Sequence, residues 1–304
     1  MNVISTDPLW SVGSRLDTDS PTDSASGCDS EPHAERAAID IPAPAAGFTR
    51  VRMTVAYDGS KFRGMAENEG VTTVSGTIRT ELERCVEHPV VLSVAGRTDA
   101  GVHAWGQVIS FDVDSDLVAS GKGSPARLAR AINQQSVPSI VVRDAELAAA
   151  DFDARFSAMT RSYRYTIVNR PVPDPFLAAT SWWVPQDLDL HSLQLGCDAL
   201  YGLHNFSSFC RRPKPNPVTG FEPSLMRRVR EARWHEVGDG ILRFDITASS
   251  YCHQMVRSIV GTLIEMGRGL RRPGEMAGII RSEDRSRAGG VAPPQGLCLW
   301  EVGY

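Results

Sequence analysis

Residues 51–57 read VRMTVAY, and large apolar side chains alternate there with Arg52, Thr54 and Ala56. A period of two is typical of a β-strand with one buried face. The dipeptide Asp58-Gly59 follows directly and predicts a turn. The folded part of the chain therefore begins with a half-buried strand that ends in a change of direction.

The pattern continues as strands and helices to about residue 150. Apolar residues recur at helical spacing over residues 74–85, and Ser124-Pro125 predicts the start of a second helix. Three further strands are predicted over residues 90–95, 107–112 and 140–142. The predicted order of elements in this half is β-α-β-β-α-β.

The same order recurs in the second half of the chain. Strands are predicted over residues 162–168, 227–236, 241–248 and 297–302, helices over residues 190–200 and 255–263, and an extra short helix over residues 273–281. We therefore expect an α+β fold of two tandem ferredoxin-like (βαββαβ) halves, whose antiparallel sheets join around a central cleft.

Residues 1–45 differ in composition from the rest of the chain. They are rich in Ser, Asp, Thr, Pro and Ala, and their eight acidic residues and two arginines give them a charge of −6, which leaves +2 of the net −4 for residues 46–304. We expect a disordered acidic tail over 1–45, an N-terminal ferredoxin-like domain over 46–150 and a C-terminal one over 151–304. The mildly basic body neither requires nor excludes nucleic acid.

Composition and cysteine spacing narrow the classes of protein. Hydrophobic residues make up 42% and charged residues 22%, no run of 18 apolar residues occurs, and the N-terminus lacks a signal pattern, so we expect a cytoplasmic protein without a membrane span. None of the six cysteines has C-x-x-C spacing, which disfavours a zinc ribbon. We expect core residues or free thiols rather than disulfides.

Residues 95–104 read AGRTDAGVHA and directly follow a predicted strand. The glycines on both sides of Arg97 and Asp99 predict a tight, exposed turn, where catalytic groups are common. Arg97 could keep the carboxylate of Asp99 ionised by charge pairing. Taken alone, Asp99 is more simply explained as a turn residue that binds its own backbone.

The run at residues 95–104 resembles the signature of TruA-type tRNA pseudouridine synthases. Further similarities to this family follow in family order at residues 57–59 (YDG), 156–158 (FSA), 161–165 (RSYRY), 204–209 (HNFSSF), 255–263 (MVRSIVGTL), 292–293 (AP) and 296–297 (GL). The resemblance implies a homodimeric enzyme that converts uridine to pseudouridine at positions 38–40 of the tRNA anticodon stem-loop.

The resemblance also implies the roles of four residues. Asp99 matches the essential aspartate of the family, and Arg257 matches the basic residue that pairs with it. Arg97 matches the arginine that helps displace and replace the flipped base, and Tyr163 matches the tyrosine that packs on that base. Asp99 would act as a nucleophile toward C1′ or C6, or as a base on a sugar proton. The isomerisation needs no redox change and no external group, so we expect no cofactor and no metal.

Basic residues of the second half are candidates for RNA binding. Arg211, Arg212 and Lys214 lie in a Pro-rich loop, and Arg227 and Arg228 lie on a predicted strand. Such residues supply phosphate contacts that do not depend on base sequence. A simpler explanation of each one is an arginine or lysine that faces water.

Two segments depart from the family pattern, and two alternative functions stay open. Residues 65–69 (MAENE) replace an aromatic and glutamine-containing stretch, and residues 251–254 (YCHQ) replace a Phe-Leu-like segment. One alternative is a non-catalytic RNA-binding or RNA-folding protein on the same scaffold. The other is a metal-dependent hydrolase that uses Asp58, Asp99, Asp112 and His103, although no H-x-x-x-H spacing supports it. His103 alone is more simply structural.

Overall fold

The computed structural model describes residues 40–211, 220 and 222–304. Residues Ile41–Tyr304 form one compact unit. Residues 1–39 of the predicted acidic tail lie outside the described residues, and so do Arg212 and Lys214. The division of the body near residue 150 stays a prediction.

The first half has the predicted order of elements and adds one short helix, α2 (Ser115–Ala119), which was not predicted. Its elements are β1 (Phe48–Tyr57), α1 (Val74–Val86), β2 (Ser93–Val94), β3 (His103–Asp114), α2 (Ser115–Ala119), α3 (Pro125–Ser136) and β4 (Ile140–Leu147). Thr73 begins α1 because its hydroxyl accepts the amide hydrogen of Gly76. The prediction of a strand over residues 90–95 was too long, because only Ser93 and Val94 pair with β3.

The second half also follows the predicted order and adds two short strands. Its elements are β5 (Thr160–Val168), β6 (Trp182–Trp183), α4 (Leu190–Cys197), β7 (Gly202–Asn205), β8 (Met226–Gly238), β9 (Ile241–Ala248), α5 (Met255–Gly267), α6 (Glu275–Ser282) and β10 (Leu297–Gly303). The predicted hairpin is confirmed, and its turn places Gly238, Asp239 and Gly240 at positive φ. In the described part of the chain no helix is long and apolar enough to cross a membrane.

One mostly antiparallel sheet runs through both halves. Its strand order is β4-β1-β3-β10-β5-β9-β8-β7, with β2 added on β3 and β6 added on β5. The two halves meet where β10 pairs in parallel with β3 and antiparallel with β5. The last strand of the chain therefore completes the sheet next to a strand of the first half, which brings loops of the two halves to the same region.

Gly106 of β3 permits a close approach at this junction of β3 and β10. A Cβ atom at Gly106 would lie 2.3 Å from the carbonyl oxygen of Trp300 on β10. The indole of Trp300 stacks on that of Trp105, with ring centroids 5.9 Å apart. Arg143 and Arg164 cover this pair, 3.9 Å from the Trp105 centroid and 3.7 Å from the Trp300 centroid. Side-chain stacking thus reinforces a junction that only two residue pairs of β3 and β10 hold.

The helices bury one face of the sheet. Val51, Met53 and Val55 of β1 are fully buried and belong to the same core as Ile78 and Leu82 of α1. The alternation seen at residues 51–57 thus directs the large apolar side chains of β1 into this core.

We predict that Gly106→Ala lowers the free energy of unfolding by roughly 1–3 kcal/mol, because the new methyl group collides with the backbone of Trp300. Gly278→Ala in α6 is the matched control, since a Cβ there meets nothing within 4 Å. Gly278→Ala should raise the free energy of unfolding by at most about 1 kcal/mol. Urea denaturation of both variants measures the difference, and equal stabilities would contradict the account of the junction.

Candidate active site

The loop that carries Asp99 is fixed by its own backbone and by two neighbouring segments. The amide of Val102 donates to the carbonyl of Asp99 (3.1 Å), which closes the turn, and the amide of Met65 donates to the carbonyl of Thr98 (3.1 Å). The buried Thr98 hydroxyl lies 2.7 Å from the hydroxyl of Tyr57. The loop therefore holds Asp99 in place while its side chain stays about a quarter exposed.

Asp99 is paired across the two halves by Arg257. Arg257 lies in the first turn of α5, and its Nη1 donates to Oδ2 of Asp99 at 3.1 Å. Its Nε donates to the carbonyl of Ala292 at 2.7 Å, which fixes the guanidinium plane. The two side chains are 13% and 25% exposed, so the ion pair is only partly screened by solvent. The predicted pairing of Arg257 with Asp99 is thus present in the structure.

Arg97 does not make the charge pair that its position in the sequence suggested. It is exposed and forms no ion pair with Asp99. Thr98 between them is buried, and the tight turn leaves Arg97 at the mouth of the site rather than on the carboxylate. The charge pair that Arg97 could make with Asp99 is therefore absent, and Arg97 lines the same cavity, where its role at the flipped base stays a prediction.

Tyr163 of β5 forms a buried wall of the site. Its ring is 8% exposed and meets the ring of Tyr251 edge to face, with centroids 5.0 Å apart. Burial, together with the nearby Tyr57 and Asp99, raises the pKa of Tyr163 well above its ordinary value. The phenol therefore stays protonated at neutral pH and offers a neutral aromatic surface near the carboxylate.

These groups line a cavity of about 1230 Å³ whose charged side chains are mainly arginines. The arginines on its walls are Arg50, Arg63, Arg97, Arg155, Arg161, Arg227 and Arg257, against the carboxylates of Asp99, Asp112 and Asp153. Asp112 is already paired with Arg50 at 2.8 Å. The cavity is thus suited to a polyanion that presents one reactive unit to Asp99.

Arg227 lines this cavity, whereas the other two described candidates, Arg211 and Arg228, do not. Two carbonyl groups accept from Nη1 of Arg227, while its buried Nε has no hydrogen-bond partner among the described residues. Arg228 is exposed and does not line the cavity. Arg211 is also exposed, and its amide donates to the carbonyl of His253 at 3.0 Å. Arg212 and Lys214 lie outside the described residues.

Arg161 is a site residue that the sequence reasoning missed. It is 8% exposed and donates to the carbonyl of Ala95 through Nε (3.1 Å) and Nη2 (2.9 Å). It also donates to the carbonyls of Ala158 and Ser249. Arg161 thereby anchors the start of the Asp99 loop to β5. The motif at residues 161–165 contained it, but the side chain is engaged with backbone rather than directed at a ligand.

His253 was also missed, because residues 251–254 were noted only as a departure from the family pattern. Its Nε2 lies 3.3 Å from Oδ1 of Asp99, the oxygen that Arg257 does not bind. The side chain is 47% exposed and lines the cavity. The second oxygen of the carboxylate therefore also has a nitrogen neighbour.

The prediction that no disulfide forms was wrong for Cys210 and Cys252. The structure joins them as a disulfide, with Cα atoms 5.8 Å apart. They are separated by 42 residues, so chain spacing gave no signal of their approach. The bond links the residue before Arg211 to the residue before His253. The other described cysteines, at positions 85, 197 and 298, are free thiols.

The acidic segment at residues 65–69 does not direct its first carboxylate into the cavity. Arg79 of α1 binds both oxygens of Glu67, with N–O distances of 2.9–3.1 Å. Ala66 and Asn68 line the cavity instead. The departure from the family pattern therefore places a small and an amide side chain, rather than a free negative charge, at this wall.

His103 has a structural place beside the loop. Its Nδ1 accepts from the amide of Gly59 (3.1 Å), so its Nε2 carries the hydrogen and donates to the carbonyl of Ala179 (3.0 Å). Burial lowers the pKa of His103 below its ordinary value. Among the described residues no group of three or more His, Cys, Asp or Glu side chains is arranged to hold a metal ion.

Comparison with known proteins relates most of the chain to one family. The family model described as tRNA pseudouridine synthase matches residues 53–157 and 197–304. A tRNA pseudouridine synthase A of Leifsonia xyli is 36% identical over 271 residues, which cover 84% of this chain and 92% of that protein. The enzyme of the same name from Geobacillus kaustophilus is 38% identical over 258 residues, or 84% of this chain and 94% of that protein.

The lowered pKa of His103 predicts a pH dependence of stability. A histidine in the unfolded chain has a pKa of roughly 6.5. Because the folded state binds the proton less readily, the free energy of unfolding should fall as the pH drops below that value. Urea denaturation between about pH 7.5 and 5.5 should show a smaller decrease for His103→Asn than for the wild type. His191→Asn, at an exposed position of α4, is the control. Equal decreases in wild type and His103→Asn would contradict this account.

Proposed function

Since the chain belongs to the tRNA pseudouridine synthase family, we propose that the cavity around Asp99 is the place where it isomerises uridine in tRNA to pseudouridine. The observation that carries this proposal is the carboxylate of Asp99, held by Arg257 next to the buried ring of Tyr163 inside an arginine-lined cavity. This constellation contains a reactive acid, an aromatic surface for a base and cations for phosphate.

The reaction requires that the target nucleotide leaves its stack. Unstacking costs roughly a few kcal/mol. The enzyme must offset this cost with contacts to the extruded base and to the gap that the base leaves in the RNA stack. We assign Tyr163 to the extruded base because its neutral ring faces the cavity beside Asp99. We assign Arg97 to the gap because its exposed side chain lies at the cavity wall and is not engaged by Asp99.

Asp99 carries the chemistry in this proposal. Arg257 binds one oxygen of the carboxylate, and loss of the negative charge would leave a partly buried guanidinium without its partner. The same carboxylate serves either route from uridine to pseudouridine. As a nucleophile at C1′ it displaces N1 of the base, whereas attack at C6 or removal of a sugar proton precedes cleavage of the C1′–N1 bond. In each route C5 of the turned base then bonds to C1′, any bond to Asp99 is broken, and C5 loses its hydrogen as a proton.

The target position and the assembly are proposed from the family resemblance of the motifs. We propose that the substrate is the anticodon stem-loop and that uridines 38–40 are modified. We also propose a cytoplasmic homodimer, which sedimentation equilibrium would detect as twice the mass of one chain. In each half the order of the main strands, β4-β1-β3-β2 and β10-β5-β9-β8, supports the interpretation as ferredoxin-like domains over residues 46–150 and 151–304.

Phosphate contacts are assigned to the basic side chains around the cavity. Arg227 has the strongest support, because its Nε is buried without a described partner at the cavity wall. Arg211 and Arg228 are exposed and available to a backbone that extends past the cavity, and Arg212 and Lys214 are proposed from the sequence alone. These contacts would supply affinity that falls as salt rises.

We predict that Asp99→Asn lowers the release of tritium from tRNA labelled at uridine C5 by at least about 10³-fold, because bond formation between C1′ and C5 must expel that hydrogen. Asp151→Asn, at an exposed position, should retain full activity. A tRNA in which positions 38–40 lack uridine should release no tritium. Release by Asp99→Asn at the wild-type rate would remove Asp99 from the chemistry, and tRNA binding without release by the wild type would favour the RNA-binding protein.

We predict that Arg227→Gln weakens tRNA binding about fivefold and reduces the slope of log affinity against log salt by about one, because one phosphate contact is lost. Arg233→Gln is the matched control on the same strand, since Arg233 is exposed and does not line the cavity. Filter binding at several salt concentrations measures both quantities. An unchanged affinity of Arg227→Gln would exclude the phosphate contact.

A further inference from the structure

The two oxygens of the Asp99 carboxylate have different neighbours. Oδ2 accepts from Nη1 of Arg257, whereas Oδ1 lies 3.3 Å from Nε2 of His253. A carboxylate held at one oxygen by a single N–H group can still turn about its Cβ–Cγ bond, because that torsion is soft. A second donor on the other oxygen removes this freedom. His253 is therefore the described side chain that is placed to set the plane of the carboxylate.

Backbone contacts on both sides of His253 fix its main chain, so the position from which its side chain extends toward Asp99 is well defined. Gln254 adopts the left-handed conformation (φ 65°) directly before α5, and the amide of Met255 donates to the carbonyl of Cys252. The carbonyl of His253 accepts from the amide of Arg211, and the disulfide of Cys252 lies next along the chain. The bend at Gln254 turns the chain so that His253 faces the Asp99 loop.

We infer that His253 is a positioning residue, which donates from Nε2 to Oδ1 of Asp99 and fixes the orientation of the reactive carboxylate. The inference rests on the proposed function of Asp99. The observed separation of 3.3 Å is longer than an ordinary N–H···O hydrogen bond, and catalytic hydrogen bonds are often long before the substrate binds. His253 acts through Asp99, so the rate of the chemical step depends on it while the affinity for tRNA does not.

Exposure of the histidine suggests a different role that the same experiment can separate. Because 47% of the side chain is accessible within an arginine-lined cavity, His253 could instead contact the RNA itself. A contact of that kind would contribute to binding and would raise KM on removal. A positioning role lowers kcat and leaves KM near its original value.

The test compares His253→Leu, His253→Gln and His253→Asn with the wild type by tritium release at varied tRNA concentration. His253→Leu fills a similar volume without a donor, and we expect kcat to fall about tenfold with KM changed less than about twofold. His253→Gln places an amide nitrogen near the original Nε2, so at least half of kcat should remain. The side chain of His253→Asn is too short to reach Oδ1, so this variant should behave like His253→Leu. It provides the same test if His253→Leu does not fold.

Three outcomes would overturn the inference: an unchanged kcat in His253→Leu and His253→Asn, a rise in KM with kcat preserved, or a glutamine variant as impaired as the asparagine variant. His191→Leu, at an exposed position of α4, controls for loss of a histidine in general. Asp99→Asn is assayed in parallel. If that variant retains activity, the proposed role of Asp99 fails. If it is inactive while His253→Asn is as fast as the wild type, only the inference about His253 fails.

Discussion

The ion pair between Asp99 and Arg257 connects the two halves of the molecule at the point where chemistry is proposed. Asp99 belongs to the loop before β3, and Arg257 belongs to α5, 158 residues further along the chain. They meet where β10 pairs with both β3 and β5 and makes the sheet continuous. Arg161 adds a second tie, from β5 to the carbonyl of Ala95. The junction of the halves therefore positions the site as well as closing the core.

The order of elements could be predicted from the sequence because long elements carry a clear period. The alternation in β1 reports one buried face, and the recurring apolar residues of α5 report a helix that is buried on nearly all sides; both are local properties. The strands β6 and β7 were missed because two and four residues are too few to show a period. The parallel pairing of β3 with β10 joins distant parts of the chain and depends on backbone geometry at Gly106, so the pattern of residues gave no sign of it.

Part of the candidate site could likewise be predicted from the sequence, and part could not. Asp99, Tyr163, Arg257 and Arg227 were named from motifs or charge, and the structure brings all four to one cavity. A charge pair of Arg97 with Asp99 was considered because the two are close in sequence, yet the structure shows no ion pair between them. The approach of His253 to Asp99 and of Cys210 to Cys252 depends on how two loops meet in space. The ion pair of Glu67 with Arg79 likewise joins a loop to a residue of α1 twelve positions later, which the pattern of residues 65–69 did not indicate.

The most direct test of the central claim is a structure of the protein bound to an anticodon stem-loop that carries 5-fluorouridine at positions 38–40. Fluorine replaces the hydrogen that must leave C5, so the reaction should stall with the base in the site. The account predicts one extruded nucleotide with its C1′ or C6 within about 3.5 Å of the Asp99 carboxylate, or a sugar hydrogen directed at it, and with its base against Tyr163. A stem-loop bound with no nucleotide in the Asp99 cavity, or with the nucleotide in a different cavity, would contradict it.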